Sequence, residues 1–566
     1  MSLAGLLDVV LADPALAAAV EAAGRPTFDL AGPSALRPVL VAALAARAGR
    51  PVLAVTATGR EAEDLAIALG SLLPPESVAE FPSWETLPHE RLSPRADTVG
   101  RRLAVLRRLR HPRPDDPASG PLRVVVAPVR SLLQPQVPGL GDLEPVEVQP
   151  GQEVRLDELV RRLVDIAYHR VDLVERRGEF AVRGGILDVF PPTEEHPLRI
   201  ELWGDTVEEV RCFRVADQRS LEVVPAGVWA PPCRELLLTA DVRNRARELA
   251  AAHPQLADMF EPIAEGSPVE GMEALAPVLV DAMVLLVDEL PAGTTVVMCD
   301  PERIRSRALD LVRTSQEFLE ASWAAAASGG VAPIDLGAAA YRPLVEVREH
   351  AAELGIPWWT LSPFATDQEL APGTLALRAR PAPTYRGDTG TALSDIRGWL
   401  ADGWRVVVVT EGHGPAERIV DVLRGADVPA RGVPDLVEVP GPGVVVVTTG
   451  GLVSGFLDDW ARLAVLTETD LVGQRSSTKD MRRLPSRRRG IDPLQLSAGD
   501  FIVHEQHGVG RYLDLVQRTV QGATREYLVV EYAKGDRLFV PTDALDQVTR
   551  YVGGESPSVD RLGGAD

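Results

Sequence analysis

Short runs of wholly apolar, mostly β-branched residues recur at 52–55, 124–126, 284–287, 296–298, 406–409 and 444–447. None alternates apolar with polar, as a strand with one wet face would. Each therefore reads as a strand covered on both sides. Between them lie helical stretches at 3–22, 61–73, 101–110 and 415–423. Buried strands separated by helices require parallel sheets with helices on their faces, so the expected fold is multidomain α/β.

Two regions break this pattern. Residues 149–233 begin with a helix over 156–167. Two strand pairs follow, 179–183 with 186–190 and 198–203 with 207–213, turning at Gly184-Gly185 and Gly204-Asp205. This is an α+β insert, and it splits one α/β domain into 1–148 and 234–350. Near the other end, 497–556 is all-β. There Leu528, Val530 and Tyr532 face one way, and Tyr527, Val529 and Glu531 the other. Lys534-Gly535-Asp536 then turns the chain into 537–541. A block this small suits a binding module better than a catalyst. Pro-rich 351–385 reads as a linker and 386–475 as a small α/β domain. Residues 476–496 read as a basic linker helix carrying Arg482, Arg483, Arg487, Arg488 and Arg489, which either faces DNA, packs on a further domain or is a solvated connector.

With 566 residues and 45% hydrophobic content, the chain can bury several cores. A net charge of −22 opposes sequence-independent DNA binding over the whole surface. Cys212, Cys233 and Cys299 lack metal-ligand spacing, which suits a reducing compartment and no zinc. No apolar run approaches the ~20 residues of a membrane span, and no signal pattern opens the chain, so a cytoplasmic location is expected.

A phosphate-binding loop needs glycines, a lysine for the β/γ-phosphates and a hydroxyl for magnesium. The best-placed segment, Gly32-Pro33-Ser34-Ala35-Leu36-Arg37, precedes a helix but has arginine in the last place and no hydroxyl after it. The two lysines, Lys479 and Lys534, follow Thr478 and Ala533, so the chain contains no Gly-Lys pair. No ATP site is expected. Asp288-Glu289 and Asp300 end apolar runs as magnesium-holding carboxylates do, but without the loop they read as structural. His504 and His507 flank Glu505 with no third ligand nearby, and read as hydrogen-bonded loop histidines. His89, His169 and His413 are scattered, and no triad or paired-carboxylate motif stands out.

Three ordered blocks carry a resemblance. One is Phe81-Pro82-Ser83-Trp84-Glu85-Thr86-Leu87-Pro88 with Ser93-Pro94, Asp97 and Arg102. Another is Arg170-Val171-Asp172 with 178–191. The last is 504–512 with Glu526-Tyr527-Leu528 and 550–554. Together they resemble the N-terminal half of the bacterial transcription-repair coupling factor family, Mfd. The resemblance implies a degenerate P-loop-type α/β domain shared with the repair protein UvrB and split by a UvrA-binding insert. It also implies a small α/β domain and a C-terminal Tudor/SH3-like β-barrel that docks on the RNA polymerase β subunit by strand pairing. An ATP-driven DNA translocase would begin just beyond Asp566. ATP, magnesium and most contact with double-stranded DNA belong to that motor, leaving this chain without cofactor or catalytic residue. The alternative is a UvrB-like DNA-dependent ATPase or helicase subunit acting directly at damage.

In UvrB, three arginines meet acidic groups of UvrA. The first and last fall on Arg170 and Arg183, and the middle one on Ala181, where Arg177 and Phe180 are positioned to compensate. The plainer reading makes Arg176, Arg177 and Arg183 a solvated hairpin face. For strand pairing, the candidate edge is Leu515, Val516, Gln517, Arg518, Thr519 and Val520, ahead of a Gln521-Gly522 turn, with Arg525 flanking it. The plainer reading is an ordinary hairpin.

Overall fold

A computed structural model describes residues 3–88, 92–328, 334, 336–363, 372–473, 496–504, 507–520, 523–541, 548–550 and 559. His89, Glu505, the arginines of 482–489 and the Gln521-Gly522 turn lie outside them. The chain separates into two compact units, 1–477 and 478–566. Among the described residues, no helix is long and apolar enough to cross a membrane.

The first sheet has seven strands, in the order Leu375–Ala376, Thr27–Ala31, Trp358–Ser362, Thr295–Cys299, Val52–Thr56, Val124–Pro128, Val78–Glu80. Every ladder is parallel. The apolar runs explain it. Val52 and Ala54 enter one core while Leu53 and Val55 enter the other, so both faces need a helical cover.

Three expectations are corrected here. Residues 351–385 are not a linker, because Trp358–Ser362 is an interior strand between Thr27–Ala31 and Thr295–Cys299. The flanking Pro357 and Pro363 hide an aromatic, β-branched run that packs well in a sheet. Residues 284–287 are not a strand. Val284 makes one isolated bridge to Gln136, and the chain then turns into the 3-10 helix Leu286–Glu289. The Asp288 carboxylate accepts the Leu285 N–H at 2.8 Å, and this local bond favours a turn over a ladder. The stretch 3–22 is two helices, Ala4–Val10 and Pro14–Glu21. The first ends at Leu11, and Asp13 caps the second, accepting the Ala15 N–H at 2.8 Å ahead of a first-turn proline.

The insert sheet runs Ser220–Val223, Thr206–Phe213, Leu198–Trp203, Ile186–Val189, Glu179–Arg183, His169–Arg170. It is antiparallel except for the last, parallel pair. Helix Leu156–Asp165 covers one face through Leu159 and Leu163, packed with Phe180, Leu187, Ile200 and Val210. The small α/β part centres on parallel strands Leu463–Thr467, Arg405–Thr410, Val445–Thr449 and Ala430–Gly432. It shares one apolar cluster with the first sheet, in which Leu3 and Leu6 meet Val407, Val446 and Phe456.

The C-terminal unit is a five-stranded antiparallel sheet ordered Arg537–Pro541, Ala523–Glu531, Gly508–Val520, Phe501–His504, Val548–Arg550. Leu528, Val530 and Tyr532 enter its core with Ile502, Tyr512 and Val540. Among the described residues no ladder joins the two outermost strands, so barrel closure is not seen.

Candidate docking surfaces

Cross-strand register decides which insert side chains share a face. Arg183 lies opposite Ile186, which lies opposite Glu201. One step along, Ala181, Asp188, Arg199 and Arg211 form a second row. All point away from the helix-covered core, because Phe180, Leu187 and Ile200, at the intervening positions, fill it.

Asp188 organises this outer face. It is 1% exposed, and its oxygens lie 2.7 and 2.9 Å from the Arg199 guanidinium. Arg183, half exposed, reaches the same carboxylate at 3.2 Å. The hydrogen bond to Asp188 pushes the Arg199 guanidinium pKa further up, and Arg199 also stacks on Phe213 at 4.4 Å. One buried anion between two cations satisfies its own charge and fixes the direction in which Arg183 leaves the sheet. Arg170 is exposed on the edge strand, where its backbone pairs with Phe180.

Two proposed contact residues are corrected. Phe180 is 0% exposed and belongs to the insert core, so it offers nothing to a partner. Arg177 is engaged inside the protein: its Nε donates to the Glu194 carbonyl at 3.0 Å and its guanidinium lies over Phe190 at 5.1 Å. Neither stands in for the arginine missing at Ala181, which is itself buried among Val174, Phe190 and Phe213. Asp188 and Arg199 were not singled out from sequence. The alternation of 198–203, with Leu198 and Ile200 inward and Arg199 and Glu201 outward, carried the signal.

The blocks that bear the resemblance include a buried clamp that ties the two parts of the split α/β domain together just after the insert. Arg102 is fully buried, binds Glu235 at 2.7 Å and the Pro82 carbonyl at 2.8 Å, and stacks on Phe81 at 4.3 Å. Trp84 donates its indole N–H to the same Glu235.

The loop after Thr27–Ala31 occupies the strand-to-helix position of a phosphate loop, ahead of the helix Arg37–Arg47. Protein groups fill it. Leu377 donates its N–H to the Ala31 carbonyl at 2.8 Å, and a Cβ placed on Gly32 would lie 3.1 Å from Leu377 Cβ. Gly32 spends its own N–H on Ser362, and Arg37 pairs with Asp300 at 3.6 Å. Ser34 is exposed. Asp288 binds His350 at 2.6 Å, raising the imidazole pKa, and Glu289 pairs with Arg110 at 3.7 Å.

In the C-terminal sheet, Phe501–His504 covers only residues 508–511 of the strand Gly508–Val520, whereas Ala523–Glu531 pairs with 511–520. Over 513–518 the strand therefore has a ladder on one side and, among the described residues, none on the other. Leu515 packs on the core and Val516 is half-buried. Gln517 donates to Glu526 at 3.3 Å, and Arg518 lies over Phe539 at 3.8 Å. Thr519 is exposed. Val520 and Arg525 join the hairpin ladder, Val520 opposite Ala523 and Arg525 opposite Arg518. The His504 and His507 rings sit 4.8 Å apart, and burial drives the His504 imidazole down to about 4.

This is a scaffold of α/β layers that presents an arginine-bearing sheet face and a separate one-sided strand. The UvrB interaction domain family matches residues 146–231, and the CarD-like/TRCF RID domain family matches 496–552. The transcription-repair-coupling factor of Mycobacterium tuberculosis (strain CDC 1551 / Oshkosh) is 50% identical over all of this chain and 47% of its own length. Those of Bacillus subtilis and Escherichia coli are each 28% identical, over 94% and 93% of this chain and 46% and 45% of their own lengths. The chain is similar over almost its whole length to transcription-repair-coupling factors and spans about half the length of the curated relatives it matches.

Proposed function

We propose that this chain is the recruitment part of a cytoplasmic protein that couples transcription to nucleotide excision repair. The insert, 149–233, docks UvrA through Arg170 and Arg183. The C-terminal sheet, read as a Tudor/SH3-like module, docks the RNA polymerase β subunit by adding a strand along Leu515–Val520. The complete protein would be an ATP-dependent translocase on double-stranded DNA, with ATP and magnesium in motor domains outside this sequence. The observation that carries the reading is the Asp188 carboxylate holding Arg183 outward on a domain that matches the UvrB interaction family. Leu377 against Gly32 weighs against a UvrB-like ATPase in this chain.

Pull-down with purified UvrA and with the polymerase β subunit tests both ends. Arg170→Glu with Arg183→Glu should remove UvrA and leave polymerase bound. Deletion of 497–554 should do the reverse. If both partners stay bound in both variants, the assignment is wrong; micromolar ATP binding by this chain would sink the non-catalytic reading.

A further inference from the structure

The strand Leu198–Trp203 ends in a side chain that the fold leaves in water. Leu198, Ile200 and Leu202 turn into the insert core, so Arg199, Glu201 and Trp203 emerge on the outer face. Trp203 is 81% exposed, more than any other large hydrophobic side chain among the described residues. Its position is set by the hairpin turn: it pairs with Thr206 across Gly204, whose φ of +61° suits glycine. Packing within the insert does not explain an indole here, because the neighbouring Leu202 serves the core.

The surroundings are those of an interface. Arg183, Ile186 and Glu201 lie in register across three strands, and Trp203 is two residues beyond Glu201 on the same face. From Arg183 to Trp203 is about 10 Å across the sheet and about 7 Å along it. Ile186, half-buried, is the diagonal neighbour of Trp203, close enough for side-chain contact. A tryptophan on the same face as an arginine that a buried carboxylate already orients is the composition of an interface hot spot, with the arginine's ordering cost met before binding.

We infer that Trp203, with Ile186, is the apolar anchor of the insert's docking face, and that it enters an apolar pocket on UvrA. This rests on the reading of the insert as a UvrA dock. The charges around it specify the pocket. Arg183 and Arg170 call for carboxylates on one rim. Glu201 and Asp205 call for a cation on the other, since nearby Glu209 is already bound by Arg211 at 2.6 and 3.1 Å. Arginine contacts alone would give a shallow, salt-sensitive docking; a buried indole adds a slow-dissociating core.

The test is calorimetric titration of the full chain with purified UvrA. Trp203→Ser should leave thermal unfolding unchanged and weaken binding about 30-fold or more, while Trp203→Phe stays within about fivefold of wild type. Arg183→Glu, run in parallel, separates the two ideas. If it abolishes binding while Trp203→Ser stays within about twofold of wild type, the UvrA dock stands and the anchor is wrong. If the wild-type chain does not bind UvrA, both fall. Sedimentation of the chain alone is the third arm: a wild-type dimer that Trp203→Ser dissolves would give the indole to a second copy and overturn the assignment.

Discussion

On the insert, the groups a partner would meet are side chains held by other side chains: Arg183 on Asp188, and Asp188 on Arg199. On the C-terminal sheet they would be backbone N–H and C=O groups along 513–518, which among the described residues have a ladder on one side only because Phe501–His504 is shorter than the strand it pairs with. A face of this kind reads charge and shape and fails on a single substitution. An edge of this kind reads hydrogen-bond spacing and tolerates most side chains but not the loss of an amide. If both serve as the proposed docks, their vulnerabilities are opposite, and each should break without loss of the other.

The largest effect should come from removing amides. In an antiparallel strand, neighbouring N–H groups point to opposite sides, so of Val516→Pro and Gln517→Pro one removes an inward donor and the other an outward one. The inward proline should unfold the C-terminal sheet. The outward one should leave it folded by circular dichroism yet abolish polymerase binding, while Gln517→Ala binds normally. Retained polymerase binding in both proline variants would refute strand addition. UvrA binding should be unchanged throughout.

Next in size is Asp188→Ala. The Arg199 guanidinium, only 13% exposed, would lose its buried counter-charge. The insert should lose about 3 kcal/mol in chemical denaturation. The half-exposed Arg183 pair contributes less than about 1 kcal/mol of this. UvrA binding should fall with it, because Arg183 is no longer aimed. If binding survives in the folded fraction, the exposed Arg170 carries the dock.

The two docks also differed in how legible they were. Apolar runs gave away the parallel strands, and Gly184-Gly185 and Gly204-Asp205 marked both hairpins. The interior strand Trp358–Ser362 was masked by the prolines at its ends, and the false strand at 284–287 came from apolar residues that Asp288 folds into a turn. On the insert, charge and resemblance point to the arginines but not to the side on which alternation sets each side chain, and Phe180, expected on the surface, underlies it. Asp188, inside Ile-Leu-Asp-Val, looks like an interruption in a strand until the register brings Arg199 beside it. The candidate edge at 515–520 rests in the sequence on the Gln521-Gly522 turn that follows it; the difference in strand length that leaves 513–518 with one ladder among the described residues is visible only in the register.

Acidification should separate the two regions again. Burial lowers the His504 imidazole to about 4, so the C-terminal sheet favours the neutral ring. That preference is fully expressed above the unfolded value near 6.5 and is lost as pH falls toward 4. At pH 5 the cost is about 2 kcal/mol. Amide exchange across 501–541 should quicken between pH 7 and pH 5 once corrected for its intrinsic pH dependence. His504→Phe should flatten the change.

The smallest effect is the one that tests the comparison itself. Exposed guanidinium–carboxylate contacts are screened once the Debye length shrinks to a few ångströms, whereas backbone hydrogen bonds along an added strand involve no net charge. Raising sodium chloride from about 0.05 to about 0.5 M should weaken UvrA binding about tenfold and polymerase binding less than about twofold. Trp203 makes the first figure a bounded one: an indole in an apolar pocket is not screened, so wild-type affinity should level off at high salt while Trp203→Ser keeps falling. Equal salt slopes for the two partners would mean that the edge is also read through charge. Arg518, lying over Phe539 beside that edge, would then be the first residue to replace.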